Sequence, residues 1–152
     1  MFRGLTSLNL DNKGRLTLPT KYRENIAELC GGHLIVTIDT EHRCLLLYPL
    51  CEWQKIEDKI SSLPSFNSVA RRIQRLLIGH ASDVELDANG RFILPPVLRD
   101  YAELEKKVMF LGQSNKFEIW SDKLWQGSRD QWLAQPLRES DELPEELESL
   151  SL

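Results

Sequence analysis

The sequence predicts an α+β fold made from two internal repeats, with helices between and after them. The text LDNKGRLTLPTKYREN at residues 10–25 returns at residues 86–101 as LDANGRFILPPVLRDY. In both stretches, polar and apolar residues alternate around a glycine-containing turn, and a proline then leads into a helical pattern. The pairs that are identical at an offset of 76 are Leu10/Leu86, Asp11/Asp87, Gly14/Gly90, Arg15/Arg91, Leu18/Leu94, Pro19/Pro95 and Arg23/Arg99.

Length and composition are typical of a globular protein with one ordinary domain, or with two small halves that share a core. The chain has 152 residues, of which 41% are hydrophobic and 28% are charged. It has no run of roughly 18 apolar residues, the length of a membrane span. Its first residues, MFRGLTSLNL, lack the apolar core and the cleavage site of a signal peptide. We therefore expect a cytoplasmic protein.

Charge is distributed unevenly along the chain. The formal net charge is −4, which by itself argues against a nucleic-acid partner. Residues 1–23, however, carry five basic side chains and one acidic one, whereas residues 136–152 carry six acidic side chains and one basic one. The sequence thus predicts a basic surface near the N-terminus and an acidic tail with a separate role.

The cysteine pattern does not predict a disulfide framework. Cys30, Cys44 and Cys51 are an odd number of cysteines without a CxxC pair. Cys30 and His33 have a metal-like spacing, and His42 and Cys44 follow, so a zinc site has to be considered. Because Cys44 lies in the apolar run CLLLY and the spacings fit no closed zinc site, we interpret it as a small core residue. No metal or cofactor is expected.

Residues 7–18 are predicted to form a β-hairpin around the turn DNKG. The alternation places four leucines on one face of this hairpin: Leu8, Leu10, Leu16 and Leu18. Gly14 is expected to supply the positive φ that such a turn commonly requires, and Asp11 to stabilise the turn through its side chain. Pro19 is expected to end the strand and to open a helix that closes at Gly31.

The middle of the chain predicts a second hairpin and two helices. LIVTID and CLLLYPL, joined by TEHR, are β-rich, and their lack of clean alternation indicates that at least one strand is buried on both faces. Pro49 is expected to introduce one helix, and a second helix after Pro64 is expected to be capped by Asn67 or Ser68 and to close at Gly79. The arginines of the second helix are interpreted as a solvated or ion-paired face, with phosphate contact as the alternative: Arg71, Arg72 and Arg75.

The second half repeats this plan with shorter loops. A hairpin is predicted around DANG, with an apolar face formed by Val84, Leu86, Phe92 and Leu94. Pro95 and Pro96 are expected to open a short helix, and VMFLG and KFEIW to form the closing strand pair. The predicted division of the chain is a first repeat with its following helix at 1–63, a linker helix with the second repeat at 64–135, and an acidic tail at 136–152.

The motifs do not predict an enzyme. The sequence has no nucleophile elbow, no phosphate-binding glycine loop and no HExxH. Asp11 and Asp87 stand at equivalent turns, and turn chemistry explains them better than a hydrolytic pair of acids. Arg15 keeps two interpretations. Its pairing with Asp11 either merely closes the hairpin or holds the guanidinium where it matches the O6 and N7 acceptors of guanine.

The repeated pattern DxxGR, followed by a strand and a proline-led helix, resembles the MraZ family of bacterial transcriptional regulators, which is related to AbrB-type swapped-hairpin proteins. The stretches LLLYP, RLLIGHA and GRFILPP are also similar to that family. The resemblance implies a double-split β-barrel built from both halves, and a ring-shaped homo-oligomer. It further implies a nucleoid-associated repressor that binds G-rich direct repeats in double-stranded promoter DNA, upstream of the operon that contains its own gene in the division and cell-wall cluster.

Carried onto this sequence, the family's DNA-reading motif falls on both turns. The positions are Asp11, Lys13, Gly14 and Arg15 in the first copy, and Asp87 and Arg91 in the second. Phosphate contacts are expected from Arg3, Lys13, Lys21 and Arg23, where these are exposed. Because Asn89 replaces Lys13 and Val97 replaces Lys21, the first copy is predicted to contact DNA more strongly. The alternative function is an AbrB-like antitoxin or protein-interaction module.

Overall fold

The computed structural model describes residues 1–135, which form two antiparallel β-sheets and five α-helices, so the predicted α+β class is confirmed. The strands are β1 (Phe2–Asn9), β2 (Arg15–Thr17), β3 (His33–Ile38), β4 (Leu45–Pro49), β5 (Ser82–Glu85), β6 (Arg91–Ile93), β7 (Lys107–Ser114) and β8 (Lys116–Ser121). The helices are α1 (Thr20–Cys30), α2 (Leu50–Ser61), α3 (Ser68–Ile73), α4 (Pro96–Tyr101) and α5 (Asp122–Ala134), and a π-helical turn, Gln74–Ile78, continues α3. None of the helices in this part of the chain has the length and hydropathy needed to cross a membrane. The acidic tail predicted at 136–152 lies outside the described residues.

The strand order interleaves the two repeats. The larger sheet has the order β1-β7-β8-β4-β3-β5, and the smaller one pairs β2 with β6. The first strand of each repeat pairs with the third strand of the other, β1 with β7 and β5 with β3. The second strands, β2 and β6, pair with each other. Each repeat therefore completes the other's sheets.

The hairpins predicted around DNKG and DANG are wrong in their strand pairing. Both turns form, but β1 and β2 join different sheets, and so do β5 and β6. The reason lies in the pattern itself, because period-two alternation fixes which face of a strand is buried and leaves the partner strand open. Pairing across the repeats puts Leu16 opposite Phe92 and leaves these side chains 0% and 1% exposed.

The other predicted elements are confirmed. β3 pairs with β4 and β7 pairs with β8, both antiparallel, and five of the six residues of β3 are buried. Pro49 precedes α2, and Pro96 is the first residue of α4. The Asn67 side chain caps α3 by accepting hydrogen bonds from the backbone N–H groups of Val69 and Ala70. The proline-led and asparagine-capped helix starts follow from local backbone chemistry.

One apolar core runs through both repeats. Leu16, Leu18, Phe92 and Leu94 pack in it with buried residues from one face of β3, β4, β7 and β8. Leu8, Leu10 and Leu86 are partly buried against the same core, so the apolar faces predicted for the two turn regions do face inward. The core thus holds the inner face of the β2–β6 ribbon, whereas the outer face of the ribbon faces solvent.

Candidate nucleic-acid interface

The first turn is closed by the side chain of Asp11. Its Oδ1 accepts the backbone N–H groups of Lys13, at 2.9 Å, and Arg15, at 2.8 Å. The N–H of Gly14 donates to the Asp11 carbonyl at 3.0 Å, and Gly14 has a φ of +77°, as predicted. Together with a backbone bond from the Asp11 N–H to the Arg15 carbonyl, at 3.0 Å, these contacts close the turn locally.

The second turn repeats this geometry. Oδ1 of Asp87 accepts the backbone N–H groups of Asn89 and Arg91, both at 2.9 Å. Gly90 has a φ of +74°, and its N–H donates to the Asp87 carbonyl at 3.0 Å. The aspartate and glycine that the two turns share thus form the same hydrogen bonds in both.

Each turn holds its arginine by one edge of the guanidinium. Arg15 donates from Nε to Oδ2 of Asp11 at 2.7 Å, and Arg91 donates from Nε to Oδ2 of Asp87 at 2.9 Å. The arginine side chains are 26% and 35% exposed, respectively. Within residues 1–135, the Nη atoms of both arginines have no hydrogen-bond partner. The aspartates therefore fix the guanidinium planes and leave the two Nη groups of each arginine, with four N–H donors, for a ligand.

The pKa values of both turn carboxyl groups are lowered. For Asp11, the largest cause is the backbone N–H of Arg15, followed by the Arg15 side chain. For Asp87, the largest cause is the backbone N–H of Arg91. Both carboxylates are therefore held in the ionised form, which accepts hydrogen bonds from the backbone and from arginine.

The β2–β6 ribbon places both arginines on one face. Arg15 lies opposite Ile93, and Arg91 lies opposite Thr17. Leu16 and Phe92, between them, point into the core, so the four flanking side chains lie on the outer face. Arg15 and Arg91 are thus diagonal neighbours, with Cα atoms about 7–8 Å apart as in antiparallel ribbons generally.

A helix arginine from each repeat covers the turn of the other. A Cβ added at Gly14 would lie 2.6 Å from Cζ of Arg99, and one added at Gly90 would lie 2.5 Å from Nε of Arg23. The turn carbonyls also join the repeats, because Gly90 accepts the N–H of Leu18 at 2.8 Å. The two turns are therefore held together as one unit by contacts that cross the repeats.

The sequence pattern does not predict the contacts between these helix arginines and the turns of the other repeat. Arg23, which is predicted to contact phosphate where it is exposed, is half-buried against Gly90, and its Nε donates to the Leu18 carbonyl at 2.9 Å. Arg99 lies against Gly14, and its Nε is buried without a hydrogen-bond partner among the described residues. The identity of Arg23 and Arg99 in the repeat was the available signal, and only the strand exchange gives it a structural meaning.

The remaining predicted basic residues lie near the N-terminus. Arg3 is exposed on β1, and its carbonyl accepts the hydroxyl of Tyr22. Nζ of Lys21 lies 4.9 Å from the centre of the Tyr22 ring. Because Tyr22 touches both, Arg3 and Lys21 are neighbours, while Lys13 is exposed in the first turn. The arginines of α3 and its π-helical continuation are exposed: Arg71, Arg72 and Arg75.

The cysteines considered for a zinc site have other partners in the structure. Cys30 donates to the His33 carbonyl, at 2.9 Å, and Cys44 is fully buried, as expected of a small core residue. In the described part of the chain, the potential ligands that come together are Asp39, Cys44 and Glu118. Burial, followed by the charges of Glu118 and Asp39, raises the pKa of the Cys44 thiol. Its Sγ donates to Oδ2 of Asp39 at 3.5 Å, which already satisfies it.

Two interleaved repeats that present paired arginines on a shared ribbon define a class of duplicated α+β proteins. Both halves match one family model, described as "MraZ protein, putative antitoxin-like", at residues 1–76 and 77–143. Over 152 residues, the full length of both chains, the protein is 57% identical to "Transcriptional regulator MraZ" of Legionella pneumophila (strain Philadelphia 1 / ATCC 33152 / DSM 7513). The same name belongs to full-length relatives from Coxiella burnetii (strain RSA 493 / Nine Mile phase I), at 54% identity, and Halorhodospira halophila (strain DSM 244 / SL1), at 50%. The chain therefore belongs to the MraZ family of transcriptional regulators, which confirms the resemblance.

Proposed function

We propose that this protein is a sequence-specific DNA-binding repressor of the operon that contains its own gene, in the cell-division and cell-wall gene cluster. It reads G-rich direct repeats in the promoter and acts in the cytoplasm, at the nucleoid. The observation that carries this proposal is the outer face of the β2–β6 ribbon, where Arg15 and Arg91 are diagonal neighbours, each held by a carboxylate. The names of the full-length relatives support the regulatory role.

In this proposal, each aspartate prepares its arginine before DNA arrives. Asp11 accepts a hydrogen bond from Nε of Arg15. The two Nη groups of Arg15 then donate to O6 and N7 of a guanine in the major groove. A side chain that is already oriented loses less conformational entropy on binding. A two-stranded ribbon is narrow enough to enter the major groove, as other β-ribbon proteins do.

Phosphate contacts distinguish the two copies in this proposal. Lys13 is exposed in the first turn, two residues from Arg15, and Arg3 and the neighbouring Lys21 add exposed positive charge elsewhere in the first copy. At the positions that correspond to Lys13 and Lys21, the second copy has Asn89 and Val97. Since phosphate contacts fix the register of a protein on DNA, Arg15 is the main base-reading residue and Arg91 a weaker one.

The proposal includes a double-split β-barrel and assembly into a ring. The exchange of strands between repeats supports the barrel, since β2 and β6 pair with each other and β1 and β5 each pair with the other repeat. In a ring, several subunits bind successive DNA repeats, and affinity rises through effective concentration when the subunit spacing matches the repeat spacing. One basic face per subunit then suffices despite the net charge of −4. No cofactor takes part.

The test is a footprint of the purified full-length protein on the DNA upstream of its own gene. We expect protected G-containing boxes that recur at a regular spacing. A set of about six phosphate contacts predicts a loss of affinity of about a thousandfold between 50 and 200 mM salt. The absence of protection, a single unrepeated box or a flat response to salt would each overturn the proposal.

A second candidate is an antitoxin-like module that caps a partner protein, which the description of the family model favours. Purification of the chain from its native host separates the two functions. A stoichiometric protein partner, together with an unprotected promoter, would support the second candidate. Promoter binding by the chain alone would support the repressor.

A further inference from the structure

The connection between α2 and α3 and the adjoining face of α3 expose an unusual amount of apolar surface. Phe66 is 91% exposed, Val69 is 58% exposed and Leu63 is 36% exposed. Beside them lies an open groove of about 250 Å³, which we call the α3 groove, lined by Leu63, Pro64, Asn67, Val69, Ala70 and Ile73. Three large apolar side chains exposed within one short stretch are typical of a surface that another segment covers.

Basic side chains are exposed on the helix that lines the α3 groove. Arg71 and Arg72 are exposed on the same short helix as Val69 and Ile73, and Arg75 follows in the π-helical turn. Successive residues of an α-helix are about 100° apart, so Arg72 lies next to Val69 on the side away from Ala70. Within residues 1–135, none of the three arginines forms an ion pair, although carboxylates are numerous there. The groove is therefore suited to an apolar segment that also carries negative charge.

The chain contains one segment of matching chemistry at its C-terminal end. Residues 136–152, PLRESDELPEELESLSL, contain five leucines and six acidic side chains, with Arg138 as the single basic residue. The same segment thus offers apolar side chains for the groove and carboxylates for the arginines.

The length of the segment also permits the contact. α5 ends at Ala134. The 17 residues of 136–152 extend at most about 60 Å, whereas a globular chain of this size is about 40 Å across. We infer that residues 136–152 bind in the α3 groove, with leucines against Val69 and Ile73 and carboxylates against Arg72. This contact does not depend on DNA, so it stands or falls separately from the proposed repressor function.

The first test is photo-cross-linking in the full-length protein, without DNA. Phe66 is replaced by p-benzoylphenylalanine, which the 91% exposure of this position accommodates without a change in the core. We expect mass spectrometry to place most cross-links within residues 136–152. The matched control carries the same photoreactive residue at Val97, which is 65% exposed, and should give few cross-links to that segment. Equal labelling of the segment from both positions, or cross-links from position 66 only to residues 1–135 of a second copy, would overturn the inference.

The second test changes the charges and keeps the chain complete. In wild type, bound amides of residues 136–152 should exchange their hydrogen at least about tenfold more slowly than in a free peptide of the same sequence. Arg71→Glu combined with Arg72→Glu should remove that protection, and Glu145→Arg with Glu146→Arg in the same protein should restore it. Protection that survives the arginine reversal, or no protection in wild type, would rule out the contact. If the arginines instead bind DNA phosphates, the reversal weakens promoter binding and leaves the exchange of the segment unchanged.

Discussion

The DNKGR and DANGR turns have nearly the same internal geometry and different surroundings. In both, one aspartate accepts two backbone N–H groups, and the φ values of Gly14 and Gly90, +77° and +74°, differ by 3°. The neighbouring outer positions differ in chemistry between the two copies. The first copy has Lys13, Thr17 and Lys21 where the second has Asn89, Ile93 and Val97. The shared turn geometry orients an arginine, and the outer positions decide what that arginine can bind.

The two turns also differ in the arginine that covers them. Arg23, over the second turn, donates to the Leu18 carbonyl, whereas Arg99, over the first turn, has a buried Nε without a partner among the described residues. The turn that carries more positive charge outside is thus the one whose covering arginine is less well satisfied. Substitutions in the first turn should therefore have the larger effect on DNA binding, and substitutions in the second turn the larger effect on stability.

The largest expected effect is on DNA binding. Arg15→Ala removes a bidentate guanine contact worth about 1–3 kcal/mol per reading head, so promoter affinity should fall at least about fivefold, and further when several subunits bind together. Arg91→Ala should weaken binding less, because the second copy has Asn89 and Val97 at the positions of Lys13 and Lys21. Electrophoretic shift assays on the footprinted promoter measure both. Thermal denaturation controls for folding, and an equal or larger loss for Arg91→Ala would refute the ranking of the copies.

The second largest effect is on stability, and here the second turn should be the more sensitive. Gly90→Ala forces a Cβ into the left-handed region, at a cost of about 1–2 kcal/mol, and displaces Arg23 from its hydrogen bond, which costs about 1 kcal/mol more. Gly14→Ala carries the same backbone cost, but it displaces Arg99, whose Nε forms no hydrogen bond among the described residues. The loss of stability should therefore be smaller than for Gly90→Ala. Urea denaturation compares the two variants.

Gly127 provides the matched control for the glycine substitutions. It lies within α5, and a Cβ added there meets no atom within 4 Å. Gly127→Ala should therefore leave stability unchanged or raise it by up to about 1 kcal/mol, the difference in helix propensity. If Gly14→Ala and Gly90→Ala behave like this control, the turns do not constrain the backbone as described.

Sequence patterns predicted the local structure of the turns and could not predict how the repeats pair. Asp11, Gly14 and the proline-led helix act through backbone geometry within a few residues, so their letters alone sufficed. The partner of β2 is β6, far along the chain, and alternating Leu16 and Phe92 would fit any antiparallel neighbour. The covering role of Arg23 and Arg99 follows from that pairing, so the sequence pattern alone does not predict it.

Substitution of the covering arginines sharpens the comparison further. Arg23→Met keeps most of the apolar packing but loses the hydrogen bond to the Leu18 carbonyl, so it should cost about 1 kcal/mol. Arg99→Met removes a buried donor that has no partner within residues 1–135, so stability should stay level or rise. Unfolding midpoints of the two variants in urea provide the comparison. A cost for Arg99→Met that equals that of Arg23→Met would mean that its guanidinium stabilises the first turn in another way.

The smallest expected effect is a difference in acid sensitivity. Folding lowers the pKa of Asp11 below its ordinary value of 3.8, mainly through the backbone N–H and the side chain of Arg15. A lowered folded-state pKa stabilises the protein above the ordinary value, and that contribution disappears as the pH falls through the folded-state pKa. The stability difference between wild type and Asp11→Asn should therefore be constant at pH 5–7 and shrink as the pH falls below 3.8. Asp87→Asn should behave in the same way, because folding also lowers the pKa of Asp87, mainly through the backbone N–H of Arg91. Urea titrations at several pH values measure both curves, and a difference that grows on acidification would contradict the assigned direction of the shift.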